Sequence, residues 1–314
     1  MMPTSPRILA IGYNAFDITI PFDQYPDLDS KTEVPFIRLG GGGPAATAAI
    51  AMSRLGAKVH LVTPLTDDQG GLVQKEELLA AGVELTGSPL LVGQESAKAV
   101  ILVNPETGQR TVFWSRGSLP RLKEDIWQDN WLEGIDILYI DGHEPAVSLK
   151  AARQARNLDI PVVYDAGSVR DGSHQLVAIC TDVISSENFA TDLTRIPNPP
   201  EALLQLQKIG PSRVAMTFGS EGILGLEDHF LAVPSFKIKT IDTTGAGDVF
   251  HAGYAFSLAQ GASFKENLEF GAATAAIKCG HWGGRGGLPE WSQVVNLLKN
   301  GTINPLGPRC RLEK

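Results

Sequence analysis

Six short apolar runs alternate with helical stretches along most of this chain, and that alternation restricts its fold more than any other feature. The runs are "RILAIG" (Arg7–Gly12), "KVHLVTPL" (Lys58–Leu65), "DILYID" (Asp136–Asp141), "PVVYDA" (Pro161–Ala166), "DVISS" (Asp182–Ser186) and "RVAMTFG" (Arg213–Gly219). Each is nearly continuous and gives way to polar or glycine residues, as strands buried on both faces of a parallel sheet do. Between them, "PAATAAIAMSRLG", "GGLVQKEELLAAG", "AVSLKAARQARNL", "ENFATDLTRI" and "PEALLQLQKIG" have helical patterning, with Gly56, Gly82 and Gly210 where C-caps are expected. The order predicts an α/β fold, a doubly wound and mostly parallel sheet whose ligands lie beyond the carboxyl ends of its strands.

Two regions break the alternation. "FDITIPF", "KTEVPFIRLGG" and "SAKAVILVNPETGQRTVFWSRG" have the period of two that marks half-buried strands, and "NPETGQR" reads as the turn of a hairpin. These strands predict a small, mostly antiparallel sheet built from two excursions, residues 14–39 and 95–117, that acts as a lid. Residues 1–13, 40–94 and 118–314 then form the core. "PNPP" (Pro197–Pro200) is expected to be a surface turn and the tail "GTINPLGPRCRLEK" to be loosely held.

The charge balance narrows the partners. A formal net charge of −8 leaves no basic footprint for nucleic acid or an anionic membrane, while 43% apolar residues supply a large core. A small polar substrate fits better. Cys180, Cys279 and Cys310 are odd in number and lack metal-ligand spacing, so a reducing cytoplasm is the expected setting. "RILAIGYNAFDITI" is too broken by Gly12, Asn14 and Asp17 to be a signal peptide or a membrane span.

Two stretches point to chemistry. In "IDTTGAGDVFHAGYAF", Val249, Phe250 and Tyr254 recur at helical spacing, so a helix begins near Gly245–Gly247. Small residues there let a ligand approach the backbone, and the free N–H groups of the first turn together with the helix dipole favour an anion. Asp248 in that turn stands where it can accept a hydroxyl proton as a phosphoryl group transfers. A plain tight helix entry with an acidic residue is the alternative. In "LGGGGPAATAAIAMSRLG", successive glycines precede Pro44 at the first turn of an apolar helix, which suits close approach of a polyhydroxylated ligand or a hinge for the lid.

Together, "GGGGPAATAAIAMSRLGAKVHLVTPLTDDQGG" and "DTTGAGDVFHAGYAF" resemble the two signatures of the PfkB carbohydrate kinases, the ribokinase-like family, and the resemblance covers roughly residues 6–295. It implies a three-layer αβα core with a β-sheet lid, and ATP with Mg2+ as cofactors. Asp248 would be the general base and Gly245, Ala246 and Gly247 the anion hole. Asn14 and Asp17 match positions that bind sugar hydroxyls, and Gly41, Gly42 and Gly43 match glycines that line the sugar. Thr217, Gly219 and Gly222 match the strand end that contacts the nucleotide. The segment from Ala276 through Cys279 and Gly280 to Gly287 matches the loop against adenine, where many members hold a monovalent cation such as K+ with Asp242 and Thr244.

The chain also departs from the pattern. Ala46 replaces a frequent asparagine, and the NxxE that organises magnesium appears as "SSENFA", leaving Glu187 and Asn188 as substitutes. Lys31 and the run "KC" to "GGRGG" resemble the sulfofructose kinase branch, in which a lysine at the position of Lys31 binds a sulfonate. Trp114 and His143 hold the other anion-binding positions, and His143 is expected to face the substrate. The resemblance implies an ATP-dependent kinase acting on a primary hydroxyl of a sugar or sugar derivative. A nucleoside kinase is the rival, with Phe16, Phe36, Phe113 and Trp114 around a base, and a non-catalytic relative is disfavoured by the intact Asp248. Exposed lid edges predict a homodimer through the lid.

Overall fold

A computed structural model describes residues 5–311. The strands are β1 (Arg7–Ile11), β2 (Ala15–Pro21), β3 (Arg38–Gly42), β4 (Lys58–Val62), β5 (Leu65–Thr66), β6 (Leu90–Leu91), β7 (Lys98–Val103) and β8 (Arg110–Ser115). They continue as β9 (Ile137–Ile140), β10 (Val162–Ala166), β11 (Asp182–Ser186), β12 (Arg213–Thr217), β13 (Ile223–Leu226) and β14 (Phe230–Val233). The helices are α1 (Pro44–Leu55), α2 (Gln69–Ala80), α3 (Pro145–Asn157), α4 (Ser173–Ile179), α5 (Glu187–Thr194), α6 (Pro199–Ile209), α7 (Ala246–Ala259), α8 (Phe264–Cys279) and α9 (Trp291–Asn300).

The large sheet runs β14-β13-β12-β11-β10-β9-β1-β4, parallel from β12 to β4 and antiparallel at the β13–β14 end. Its apolar runs are continuous because both faces are covered. Ile8, Ala10, Leu61, Ile137, Tyr139, Val163 and Ile184 pack with α1, α7 and α8 on one side. The alternate residues Leu9, Ile11, Leu138, Ile140, Tyr164 and Val183 pack with Val147, Ala151, Leu203 and Leu206 of α3 and α6 on the other. Glycine punctuates as expected at the end of α1, where Gly56 is left-handed with φ 111°.

The smaller sheet runs β3-β2-β7-β8, with β2 and β7 parallel and the outer pairs antiparallel. Asp17, Thr19, Ala99, Ile101 and Trp114 share one face by register, and Ile18, Leu39, Val100 and Phe113 share the other. The stretch Lys31–Ile37 forms no strand, contrary to its patterning, and pairing starts only at Arg38; Pro35 removes a ladder donor just before it.

The tail also differs from expectation. Ile303 bridges to Phe236, Asn304 bonds Ser235 and Phe236, and Cys310 is fully buried. Residues 312–314 lie outside the described part. The strands β13 and β14 and the short helix α4 have no counterpart in the sequence reading. The first pair is antiparallel and half-exposed at its edge, so its pattern differs from that of the core strands. Among the described residues no helix is long and apolar enough to cross a membrane.

Candidate active site

The turn before α7 folds as its glycines dictate. Gly245 caps the helix with φ 74°, and a Cβ there would stand 2.5 Å from the Gly284 carbonyl oxygen. A Cβ on Gly247 would meet open space. The Ala246 N–H bonds the Thr243 carbonyl and the Val249 N–H bonds that of Gly245, which leaves the N–H groups of Gly247 and Asp248 without a backbone acceptor. Asp248 is half-buried and its carboxylate has no hydrogen-bond partner among the described residues. Burial and the neighbouring Asp165 carboxylate push its ionisation up to about 7, against the pull of His251 and Arg110.

A polar layer sits beneath this turn. Asp165 accepts from the Tyr139 hydroxyl at 2.8 Å and lies 3.3 Å from the His251 ring, whose two nitrogens face the carbonyls of Gly247 and Ile184 at 2.6 and 3.1 Å. The β7–β8 hairpin docks above it. The Gly108 carbonyl accepts from both the N–H and the hydroxyl of Thr243, at 3.2 and 2.8 Å, and Arg110 donates to that hydroxyl at 3.0 Å.

Asn14 and Asp17 are buried, at 1% and 8% exposure, where β1 gives way to β2. Burial pushes Asp17 up to about 7, with Arg285 opposing and Asp248 adding to the rise. The Arg285 guanidinium donates to Glu77 at 2.8 Å, to the Gly42 carbonyl at 2.7 Å and to Asn14 Oδ1 at 3.1 Å. This explains part of the glycine run. A Cβ on Gly41 would lie 1.9 Å from the guanidinium, and one on Gly42 would lie 2.0 Å from the Asp17 carboxylate. The Gly41 N–H is itself engaged by Glu77, and Gly43 caps α1 with φ 85°. These glycines make room for side chains as much as for a ligand.

Asp17 and Arg285 border a cleft of about 450 Å³ with Arg38, Glu77 and Trp282. Gly284 joins the two walls, since a Cβ on it would stand 3.4 Å from Asp17 Oδ2 while its carbonyl packs on Gly245. Nine buried polar side-chain atoms among the described residues lack a partner, and Asn14 Nδ2, Thr244 Oγ1, Arg285 Nε and the Tyr13 hydroxyl sit on or beside these walls. Such unmet groups cost free energy unless a ligand satisfies them.

Other expected residues are distributed unevenly. His143 is buried at 6% exposure and stacks on Tyr13 at 4.3 Å, instead of projecting freely at a strand end, and burial pulls its ionisation down to about 4. Trp114 meets both rings edge-on at 6.2 Å, with the Arg170 guanidinium over it at 5.8 Å. Lys31 is exposed and makes no hydrogen bond or ion pair with the described residues. Phe36 packs on Trp282 and Phe113 is 59% exposed on the far face of the small sheet, so neither forms a sandwich with Trp114.

At the ends of β12 and α8, Thr217, Gly219 and Gly222 form one turn, while Cys279 accepts from the N–H groups of Ile241 and Asp242 beside Ala276 and Gly280. Glu187 is tied to Arg309, which also grips Glu221. Among the described residues no cluster of three acidic, histidine or cysteine side chains could hold a metal ion. Asp242 is fully buried, and its carboxylate accepts from the N–H groups of Thr244 and Gly283, each at 2.7 Å.

The residues the sequence reading left without a role are Glu77, Arg285, Asp165, His251 and Lys278. Arg285 and Lys278 stand inside quoted motifs, but nothing local in "GGRGG" or "IKCG" says what they touch.

The pattern of the pfkB family carbohydrate kinases matches residues 7–291. A nucleoside kinase of Methanothermobacter thermautotrophicus is 24% identical over 92% of this chain and 94% of its own. An ATP-dependent ribose-1-phosphate kinase of Halopiger xanaduensis is 27% identical over 89% of this chain and 94% of its own. The solved structure of Arabidopsis thaliana ribokinase complexed with ribose and ATP superposes with a TM-score of 0.79 at 22% identity, covering 94% of this chain and 99% of the other, a likeness of fold. These relatives give no support to the sulfofructose kinase branch. With the match spanning both walls and the turn between them, the chain belongs to the pfkB family and is a carbohydrate kinase.

Proposed function

We propose that the chain transfers the γ-phosphoryl group of ATP to a hydroxymethyl group of a ribose-like sugar, with Asp248 as general base. The observation that carries this reading is the unpartnered Asp248 carboxylate beside the two free N–H groups of the α7 first turn, joined through Gly284 to the Asp17 wall. Asp17 and Asn14 hold the sugar hydroxyls. The substrate oxygen loses its proton to Asp248 and forms a bond to the γ-phosphorus as the bond to the β-phosphate oxygen breaks and ADP leaves. The N–H groups of Gly247 and Asp248 offset the negative charge that develops, where fixed dipoles stabilise most. A base with an ionisation near neutrality suits proton transfer at pH 7. Magnesium would enter on the nucleotide phosphates.

Residues 14–39 and 95–117 act as the lid in this reading, locked on Thr243 by Gly108 and Arg110. The outer face of that sheet exposes Leu39 and Phe113, at 57% and 59%, beside Ile18 and Val100, and we take it as the contact of a homodimer. A second reading, an anionic substituent on the sugar, is favoured by Arg170, whose guanidinium has no carboxylate partner among the described residues. The test is ADP release with a panel of pentoses, hexoses, sugar phosphates, a sulfosugar and nucleosides. Turnover with ribose or a ribose phosphate is expected. Turnover with nucleosides alone would move the assignment to the rival reading, and none with any sugar or nucleoside would remove it.

A further inference from the structure

The segment from Asp242 to Asp248 is held from behind by a buried ammonium group. Lys278, in the last turn of α8, is fully buried, and its Nζ donates to the main-chain carbonyl of Asp242 at 2.8 Å and to that of His281 at 3.4 Å. Burial pulls its ionisation below the usual lysine range, while the Asp242 carboxylate holds it up. The other charges bearing on it are Arg110, Asp248 and the Cys279 thiol.

Two carbonyl oxygens, a nearby carboxylate and the negative end of a helix dipole are what a bound monovalent cation would find. Of Asp242 and Thr244, the residues expected to hold K+, Asp242 is already engaged through both its carboxylate and its carbonyl, while the Thr244 hydroxyl has no partner among the described residues. The Asp242 carboxylate is engaged by the N–H groups of Thr244 and Gly283, and its carbonyl by Lys278. The carbonyls of Asp242 and His281 that an exchangeable ion would use are therefore already taken by an ammonium group of the chain itself.

We infer that Lys278 is a built-in cation standing in the place of a monovalent ion, and that the chain needs no K+. The geometry gives the charge a task. Lys278 fixes the Asp242 carbonyl, and the Asp242 side chain fixes Thr244 on one strand of the turn and Gly283 on the other. Gly245 and Gly284 follow directly and pack on each other. Lys278 is thus a positioning residue for the phosphate-binding backbone, and only this last consequence rests on the function proposed above.

Methionine is one atom shorter than lysine, so Lys278→Met vacates the Nζ position and leaves its carbonyl oxygens around the gap. Melting temperature and the dissociation constant of a non-hydrolysable ATP analogue would be measured in potassium chloride and in tetramethylammonium chloride at equal ionic strength. Wild type is expected to give the same values in both. Lys278→Met is expected to bind the analogue about tenfold more weakly or worse, as loss of charge-assisted hydrogen bonds does. Potassium or ammonium should restore part of that loss and raise its melting temperature, because the ion binds only the folded chain. The melting arm requires neither nucleotide nor turnover, so it reports even if no sugar is phosphorylated. A wild type that potassium stabilises, or whose nucleotide affinity potassium raises about tenfold, would overturn the inference. So would a Lys278→Met protein that matches wild type in both measurements. If Lys278→Met does not fold, the wild-type potassium titration decides alone.

Discussion

The two walls of the candidate site are made of different material. The proposed phosphate wall is backbone: a left-handed glycine, free N–H groups and one carboxylate, all within Gly245–Asp248. The proposed sugar wall is side chains: Arg285 gathers Glu77 and Asn14 by hydrogen bonds that span 208 and 271 residues of sequence, and Asp17 lies in the field of the same guanidinium. Backbone can be aimed by a short local motif. A charged wall needs partners from distant segments, and its composition is free to change with the substrate while the chemistry stays fixed.

The comparison breaks first at Asp248. Asp248→Asn keeps the size and removes the proton acceptor, so kcat is expected to fall by about 10²–10⁴ while ATP binding persists. Near-normal turnover would dissolve the assignment of chemistry to that wall. Asp17→Ala should act on the other side, raising the KM for sugar by about tenfold or more through the loss of charge-assisted hydrogen bonds, with the ATP KM nearly unchanged. Equal changes in both constants would mean that the walls are not separable.

The smallest effects separate the glycines. Gly245→Ala should destabilise the fold by about 1–2 kcal/mol or more, since its φ is 74° and a Cβ would press on the Gly284 carbonyl. Gly247→Ala should leave the melting temperature at or above that of wild type, because none of the described residues lies within 4 Å of the added Cβ, yet raise the ATP KM a few-fold. Calorimetry of both variants checks this, and similar melting losses would remove the distinction.

The difference between the walls also explains what could be read from the sequence. The parallel core was legible because continuous apolar runs follow from burial on both faces, and α7 was legible because its turn and periodicity are contiguous. The strand expected over Lys31–Ile37 was misread although Pro35, which removes a ladder donor, stands inside it, and the loose tail was misread because the burial of Cys310 depends on neighbours that are not local. Arg285 illustrates the limit. The space that glycines Gly41 and Gly42 leave is filled by Arg285 and Asp17, and no periodicity encodes a contact across 243 residues between Gly42 and Arg285.

The most direct measurement of the central claim is the pH dependence of kcat/KM for the sugar between pH 5 and 9. Asp17 and Asp248 are both raised to about 7, so each is protonated below that pH and ionised above it. In the proposed mechanism both must be ionised, one to accept hydroxyl bonds and one to accept the proton, and kcat/KM reports the free enzyme. Activity should fall as pH drops through about 7, with a slope steeper than one proton as the two titrate together. In Asp17→Asn the limb should remain near 7 with a slope of one. A wild-type profile that stays flat down to pH 5, as ordinary carboxylates near 4 would give, would contradict the account.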